Sequence, residues 1–317
     1  MVAVAALAAV LAALPLVASP AVLTWVFLVS LSVALGQSWN LLAGYAGQVN
    51  LGHAAFFGVG ALATRALWVS GVPVPAALAG GCLAAAAAGA LVALPSLRLR
   101  GPYFAIGTLA IAEILRVVAA SAWPEVSALP APLIASYRLL PRYYLGVGLA
   151  AAVTAVAWAV GRSRLGMGLA AVREDEDVAA SVGVDPFRLK LAAVVLSAAC
   201  AGAAGAVFGY YHPSFYPQFV FSPVWTFDSL VITYLGGVGT VAGPVVGAAF
   251  FVVVREALAL SVTEAHLVVF GLLFILVVMA VPGGLMEIAR LLRRRLARRA
   301  LAPSPRALDR APGQERG

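Results

Sequence analysis

One stretch of this chain carries the residues best suited to binding another protein. Five successive residues there are charged: Arg173, Glu174, Asp175, Glu176 and Asp177. In a single helix, steps of about 100° per residue would turn these charges toward every side, which hydrocarbon does not tolerate. A charged helix at a membrane surface offers a partner protein a place to dock. The pattern therefore predicts a surface that binds a partner protein rather than a catalytic site.

Residues typical of helix boundaries flank the five charges. Gly166 and Gly168 loosen the start of the stretch, and Gly183 suits the left-handed residue that follows a helix end. The pair Asp185-Pro186 is typical of an N-cap followed by the first helical residue. We therefore predict a short interfacial helix over 169–182, joined rigidly to the next apolar segment. An ordinary solvated loop is the alternative.

Three polar residues interrupt an apolar region: Gln48, Asn50 and His53. They lie at a glycine-rich break (44–52), and a second glycine-rich break (235–244) stands in the other half of the chain. Paired broken helices often mark a transport site at mid-membrane, and polar side chains in spans face the interior or a cavity. We predict that the three residues line a solute path; structural hydrogen bonds are the alternative.

Small residues recur every four positions at Gly239, Gly243 and Gly247, and Pro244 stands among them. Such spacing puts small residues on one helix face, where two backbones can approach closely. Pro244 removes one backbone hydrogen bond, so a neighbour or water must satisfy the freed carbonyl. We predict a tightly packed helix pair, either beside a pathway or as ordinary helix packing.

Charged residues also occur inside apolar segments. Glu113 and Arg116 stand three apart and can pair on one helix face. Asp228 and the neighbours Arg255 and Glu256 allow the same two interpretations, a structural ion pair or a proton relay.

Hydrophobic residues make up 63% of the chain and charged residues 11%, where soluble domains carry roughly 25% charged residues. This composition predicts an all-α, polytopic membrane protein organised by the bilayer. We expect the N-terminus to be a span rather than a cleaved signal peptide, because it lacks a basic n-region. Breaks at proline, glycine and charge clusters predict about ten membrane-spanning or re-entrant segments: 2–18, 21–43, 52–70, 76–94, 103–120, 140–160, 188–210, 223–240, 243–260 and 264–281.

Basic residues orient these segments, because short cytoplasmic connections are rich in Lys and Arg. They cluster at Arg98 and Arg100, in the stretch from Arg162 to Lys190, and in the tail 290–317, which has a net charge of +7. Ten crossings place all three groups, and both termini, in the cytoplasm. We predict a transmembrane permease domain over 1–289 and a disordered tail that binds anionic lipid. The rest of the chain carries only +1, so nothing indicates a nucleic-acid partner.

Sequence motifs for catalysis are absent from the chain. It has no GxxxxGK[ST] sequence, and its only lysine is Lys190, so it cannot build a P-loop and hydrolyse ATP alone. No HExxH, GxSxG or Cys/His cluster indicates an active site or a metal site. We expect no catalytic residue, no metal and no cofactor in this chain.

Four strings resemble the branched-chain amino acid ABC transporter permease family, in its LivM-like branch. They are SWNLLAGYAGQVNLGHAAFFGVGA (38–61), LRLRGPYFAIGTLAIAEILRVV (97–118), GMGLAAVREDEDVAASVGVDPFRLKLAAVVLSAACAGAAGAV (166–207) and LGGVGTVAGPVVGAA (235–249). VPGGL (281–285) is similar to the closing motif of the family. The family commonly has a glycine-rich segment where this chain has 119–141, which contains no glycine.

The resemblance implies a multi-pass permease subunit of an importer in the cell inner membrane. It makes 166–185 the cytoplasmic coupling helix, whose charged residues meet an ATPase. It also implies two ATP-binding cassette ATPases that bind the ATP, a second permease chain related to this one, and a periplasmic or lipid-anchored solute-binding protein. Branched-chain amino acids head the expected substrates, followed by other amino acids and small amides. An ion-coupled secondary transporter is the alternative function, and a scaffold that docks a partner is another.

Overall fold

The computed structural model of the protein describes residues 2–122, 129–261, 271–272, 279 and 283–287. Its elements within these ranges are helices, with a short 3-10 turn at Leu14–Leu16. The helices are α1 (Val2–Ala13), α2 (Pro20–Ala46), α3 (His53–Val69), α4 (Val74–Ser96), α5 (Pro102–Ala122), α6 (Ala131–Ala135), α7 (Leu139–Arg162), α8 (Arg164–Glu174), α9 (Glu176–Ser181), α10 (Pro186–Tyr211), α11 (Pro217–Val220), α12 (Pro223–Gly236) and α13 (Ala242–Ser261).

Six stretches of the described residues are long and apolar enough to cross a membrane. They are α2, α4, α5, α7, α10, and α11 with α12 as Pro217–Gly236. The apolar helices near the N-terminus and at α3 are shorter than a span. The described residues thus confirm a helical protein with several candidate spans, while the predicted segment 264–281 and the tail 290–317 lie largely or wholly outside them.

Helices α2, α3 and α10 form the centre of the bundle. In α10, 67% of the most apolar stretch is buried inside the protein, and in α2 56%, whereas the values for α4, α5 and α7 are 22–28%. Phe57 and Phe208 are buried where α3 meets α10, and Phe27 of α2 stacks on Tyr211 at a centroid distance of 3.7 Å. The central helices therefore position the residues of any internal path, and the outer helices present surfaces to lipid or to other proteins.

Small residues allow the central helices to approach closely. A Cβ at Gly205 of α10 would lie 1.9 Å from the carbonyl oxygen of Phe57 in α3. A Cβ at Gly247 of α13 would likewise lie 2.0 Å from the carbonyl oxygen of Ile232 in α12. Backbone-to-backbone packing of this kind needs residues without side chains. The two contacts fix α10 on α3 and α13 on α12.

Helices α12 and α13 form a second layer against α2. Their shared apolar cluster buries Val33 of α2, Ile232 of α12 and Phe251 of α13. The connection between α12 and α13 (237–241) is not helical, and it lies beside the end of α2.

The residues before α5 and the helices α8 and α9 lie at one end of the bundle, which we name the charged end. Arg100 and Asp177 form an exposed ion pair there, with an N–O distance of 3.3 Å. These two connections therefore lie at the same end of the bundle.

Candidate functional site

The charged stretch forms two short helices rather than one. Helix α8 ends at Glu174, α9 begins at Glu176, and Asp175 between them has an extended backbone with φ −156° and ψ 117°. The prediction of a single helix over 169–182 is therefore wrong, as is the expectation that five charges point to every side of one helix. The extended backbone at Asp175 separates the five charges into two groups, one on each helix.

Side-chain caps fix these helix ends. Asp175 Oδ1 accepts hydrogen bonds from the backbone N–H groups of Asp177 and Val178, and this N-cap explains why the chain breaks there. Gly183 has φ +88°, as expected for the residue after a helix end. Asp185 caps α10 through the Arg188 N–H, and Pro186 is the first residue of that helix. The predicted boundary at Asp185-Pro186 is confirmed.

Gly166 lies inside α8 and also shapes the corner between α7 and α8. Its N–H donates to the Ser163 hydroxyl, the N-cap of α8, at 3.2 Å. A Cβ at this position would lie 2.1 Å from the Val160 carbonyl oxygen. The helix therefore begins before Gly166, and the glycine allows the tight approach of α8 to α7.

Of the five charged residues, two bind other elements of the bundle. Arg173 reaches the end of α2, and Glu176 reaches α10. The carboxylate of Asp175 caps α9, and Asp177 pairs with Arg100 at the surface. Glu174 is exposed. The outward-facing residues suit a partner surface, while Arg173 and Glu176 connect that surface to the core.

Arg173 connects α8 to a junction of three elements. Its Nη1 atom donates to the carbonyl oxygen of Gly44 at 2.5 Å, next to the end of α2. A Cβ placed on Gly239, in the connection after α12, would lie 3.1 Å from the same Nη1 atom. The two glycine-rich breaks predicted from sequence, 44–52 and 235–244, therefore meet at Arg173.

Two buried amides of α2 hold the connection 237–241 in place. Asn40 accepts a hydrogen bond from the Gly239 N–H at 2.8 Å and donates to the Thr240 carbonyl at 3.0 Å. Gln37 donates to the Val241 carbonyl at 2.6 Å. Buried backbone groups outside a helix need such partners. The amides thus join α2 to the connection between α12 and α13.

The glycine repeat at 239–247 differs from its prediction in two ways. Gly239 lies outside α13, with φ +77°, so it does not share a helix face with Gly243 and Gly247. Pro244 is the third residue of α13, where N–H groups lack helical partners in any case, so it frees no carbonyl within a helix. Gly243 lies in the same first turn and donates to the Thr240 hydroxyl at 3.0 Å.

Lys190 joins α9 to the central helix α10. Its ammonium group forms an ion pair with Glu176, and the Lys190 side chain is only 3% exposed. A buried ammonium group is costly without such a partner, so the pair holds α9 against the first turns of α10. Arg173 and Lys190 together give the charged end two firm connections to the centre of the bundle.

The three predicted path residues lie in the connection between α2 and α3 or at the start of α3. Gln48 is half-buried. Asn50 is buried, and its Oδ1 accepts from the Gly52 N–H at 2.7 Å. His53 is buried, and its Nε2 atom lies 2.7 Å from the Ser38 hydroxyl. The roles of Asn50 and His53 in this conformation are hydrogen bonds within the protein.

Neighbouring helices satisfy the backbone of this break. The Asn50 carbonyl accepts from Trp39, the Leu51 N–H donates to Thr108 of α5, and the Ala54 N–H donates to Thr226 of α12. Three elements thus hold the start of α3 inside the bundle. His53 Nδ1 is buried without a hydrogen-bond partner among the described residues.

The predicted pair of Glu113 and Arg116 forms, and Asp228 also has an arginine partner. Glu113 and Arg116 form two hydrogen bonds on α5, with side chains 45% and 34% exposed. Asp228 of α12 pairs with Arg255 of α13 at 2.8 Å. The acidic residues that an ion-coupled mechanism would use therefore each have an arginine partner.

Arg65 and Arg142, which the sequence patterns did not single out, cap the far end of α10. Arg65 donates to the carbonyls of Gly209, His212 and Pro213, and Arg142 donates to that of Tyr210. Burial, with a smaller effect of Arg65, lowers the pKa of His212 to about 4, so His212 adds no third cation at neutral pH. The sequence could have indicated these contacts, because an arginine inside an apolar segment needs partners within the protein.

The part of the chain that the structure describes contains no candidate metal site and no disulfide. No group of three or more His, Cys, Asp or Glu residues there could hold a metal ion. Cys82 and Cys200 are both free thiols.

Known proteins similar to this chain share one description. The family "Branched-chain amino acid transport system / permease component" matches residues 21–278. The relatives are the "High-affinity branched-chain amino acid transport system permease protein LivM" of Salmonella typhimurium and that of Escherichia coli K12. Each is 31% identical over 297 residues, covering 81% of this chain and 68% of the relative. No solved structure matches significantly. The chain belongs to the family of branched-chain amino acid transport permeases.

Proposed function

We propose that this chain is a membrane-spanning subunit of an ATP-binding-cassette importer, driven by separate ATPase subunits that bind the ATP. One ATPase would dock at the charged end of this chain, over residues 166–185, and closure of the two ATPases of the complex would alternate the access of a solute path. The chain itself would supply no catalytic group, metal or cofactor.

One observation carries the proposal: the exposed charged helices are connected to the two most buried spans. Arg173 binds the Gly44 carbonyl at 2.5 Å after crossing from α8 to α2. Glu176 binds the buried Lys190 of α10. A force applied to α8 and α9 would therefore move α2 and α10, which carry the buried residues Ser38 and Ser197. Ser197 donates to the Ser38 carbonyl at 2.7 Å, which ties these two spans at mid-length.

The topology we propose has about ten membrane-spanning or re-entrant segments, with both termini in the cytoplasm of a cell whose inner membrane holds the protein. Ten is the sum of the six candidate spans and four further segments: α1, α3, α13 and 264–281. The charged end faces the cytoplasm, where the basic connections and the basic tail 290–317 belong under the positive-inside rule. The transmembrane permease domain extends over 1–289.

A second permease chain would cover the outer face of α5. Glu113 is the twelfth of the 21 residues of this helix, about 17 Å along its axis from the start and so near the middle of a span. A half-exposed ion pair is costly against hydrocarbon. Protein or a solute path therefore suits this face better than lipid does, and a related sister chain is the partner we propose.

The substrates we propose are branched-chain amino acids, with other amino acids or small amides as further members of the class. Both curated relatives are named for high-affinity branched-chain amino acid transport. A periplasmic or lipid-anchored binding protein would deliver the solute. The path side chains that we propose are Gln48, Asn50 and His53. The buried residues Asn50 and His53 become accessible only if the break between α2 and α3 moves.

Uptake into vesicles tests the proposed function. The complex purified from its native membrane would be reconstituted in liposomes, with the binding protein and labelled leucine on the side opposite the charged end. We expect uptake only when ATP is present on the charged side, and none from a pH or sodium gradient alone. Gradient-driven uptake without nucleotide would contradict the proposal and favour an ion-coupled carrier.

A further inference from the structure

A cleft of about 340 Å³ opens at the charged end, beside the Arg173 junction. Its wall includes the last turn of α7, the inner side of α8, the end of α2 and the connection after α12. The residues that matter for its chemistry are Tyr45, Trp158, Arg162 and Arg173. Arg173 uses Nη1 to bind Gly44, and no protein acceptor among the described residues binds its other guanidinium nitrogens.

Arg162 also has no hydrogen-bond acceptor among the described residues. Its guanidinium carbon lies 4.7 Å from the centroid of the Trp158 ring. Glu174 is the acidic residue in the wall, so two cations face one anion across this space. Two guanidinium groups with free donors in one cleft suit an oxyanion that accepts several hydrogen bonds, above all a phosphate.

The position of the cleft points to the source of the phosphate. Arg162 is the last residue of α7, and Trp158, which is 53% exposed, lies one turn before it on a helix that is mostly unburied. Tryptophan at the end of a span, followed by arginine, is typical of the membrane interface. Basic pockets between helices at this level bind the headgroups of anionic lipids.

We propose that this cleft binds the phosphate of an anionic phospholipid headgroup, with Arg162 and Arg173 as its donors and Trp158 beside the acyl chains. The lipid would sit against α7, α8 and the end of α2. It would thereby stabilise the contact between Arg173 and Gly44. The occupancy of this site does not depend on the proposed transport function.

Lipid binding to the purified full chain, stripped of native lipid, tests the proposal by native mass spectrometry and by melting temperature. The probes are phosphatidylglycerol, phosphatidylcholine, inorganic phosphate and leucine. We expect phosphatidylglycerol to bind best, and Arg162→Gln to weaken it about fivefold, the effect of one basic residue near an anionic surface. Arg162→Lys should retain most of the binding. Trp158→Leu should weaken the binding of phosphatidylglycerol without changing the binding of inorganic phosphate.

Arg164→Gln is the matched control, because Arg164 is an exposed arginine of α8 outside the cleft. If it weakened phosphatidylglycerol as much as Arg162→Gln does, general surface charge would explain the binding and the proposal would be overturned. The assignment to an anionic lipid would be overturned if phosphatidylcholine bound as well as phosphatidylglycerol. It would also be overturned if inorganic phosphate raised the melting temperature as much as phosphatidylglycerol does. If leucine raised the melting temperature as much as phosphatidylglycerol does, the cleft would instead be assigned to the carboxylate of the solute.

Discussion

Lys190 and Glu176 form an ion pair that joins the second short charged helix, α9, to the central helix α10. The Lys190 side chain is 3% exposed and that of Glu176 is 28% exposed, so the ammonium group lies deep and its partner lies at the edge. Movement of α9 must therefore either carry α10 along or break this pair.

Glu176→Gln should destabilise the protein, because it leaves a buried ammonium group without a carboxylate, which costs about 3 kcal/mol or more in comparable cases. The double variant Lys190→Met/Glu176→Leu should recover most of that loss by replacing both charges with apolar groups. Thermal unfolding in detergent, followed by size-exclusion chromatography, measures both. A double variant as unstable as Glu176→Gln would show that an unpaired ammonium group is not what destabilises the single variant.

Arg173→Met should uncouple transport from ATP hydrolysis, because it retains the side-chain stem and removes the hydrogen bond to Gly44. We expect leucine uptake per ATP hydrolysed to fall about tenfold, the effect of losing one charge-assisted hydrogen bond. ATPase binding should persist. The control is Arg164→Met, the same change at an exposed position of α8. Loss of ATPase binding in Arg173→Met, with the control intact, would instead place Arg173 in the docking surface.

Glu174→Arg should abolish co-purification of the ATPase while the chain stays folded, because Glu174 is exposed and makes no ion pair among the described residues. Glu174→Gln should have an intermediate effect. Reversing Asp175 as well would confuse the result, since Asp175 caps α9, and losing such a cap costs about 1 kcal/mol. Normal ATPase recovery with Glu174→Arg would remove this residue from the docking surface.

Asn40→Ala should destabilise the junction between α2 and the connection 237–241. The change leaves the Gly239 N–H and the Thr240 carbonyl without their partner, at a cost of about 1–3 kcal/mol for each group that stays dry. Gln48→Ala, at a half-buried position, is the control and should change the melting temperature little. The prediction fails if the two variants unfold at the same temperature.

Ile114→Cys should become protected from maleimide when the complex assembles, because its neighbours Glu113 and Arg116 favour a protein-covered face. A bifunctional maleimide should link it to the second permease. Leu91→Cys on α4 is the control, being 69% exposed against 61% for Ile114. Equal labelling of both cysteines in the assembled complex would argue that α5 faces lipid.

The sequence predicted the class of the fold and the cap at Asp185-Pro186 because composition and local capping act over a few residues. It did not predict the break at Asp175. A run of five charges gives no indication that one carboxylate will cap the next helix, and Asp is compatible with either conformation.

Contacts between distant parts of the chain were also beyond the sequence. Arg173 meets Gly44 across 129 residues, and Asn40 meets Gly239 across 199. The glycine-rich breaks were visible as composition, but only the packing of α2 against α12 and α13 brings them together. Gly239 was misplaced on a helix face because a four-residue repeat does not show where the helix begins.

The most direct test of the account is to solubilise the protein from its native membrane in mild detergent and identify the proteins that co-purify with it by mass spectrometry. The account predicts stoichiometric recovery of a P-loop ATPase, at two copies per complex, together with a second permease chain. Recovery of this chain alone, repeated after mild cross-linking, would contradict an ATP-driven importer.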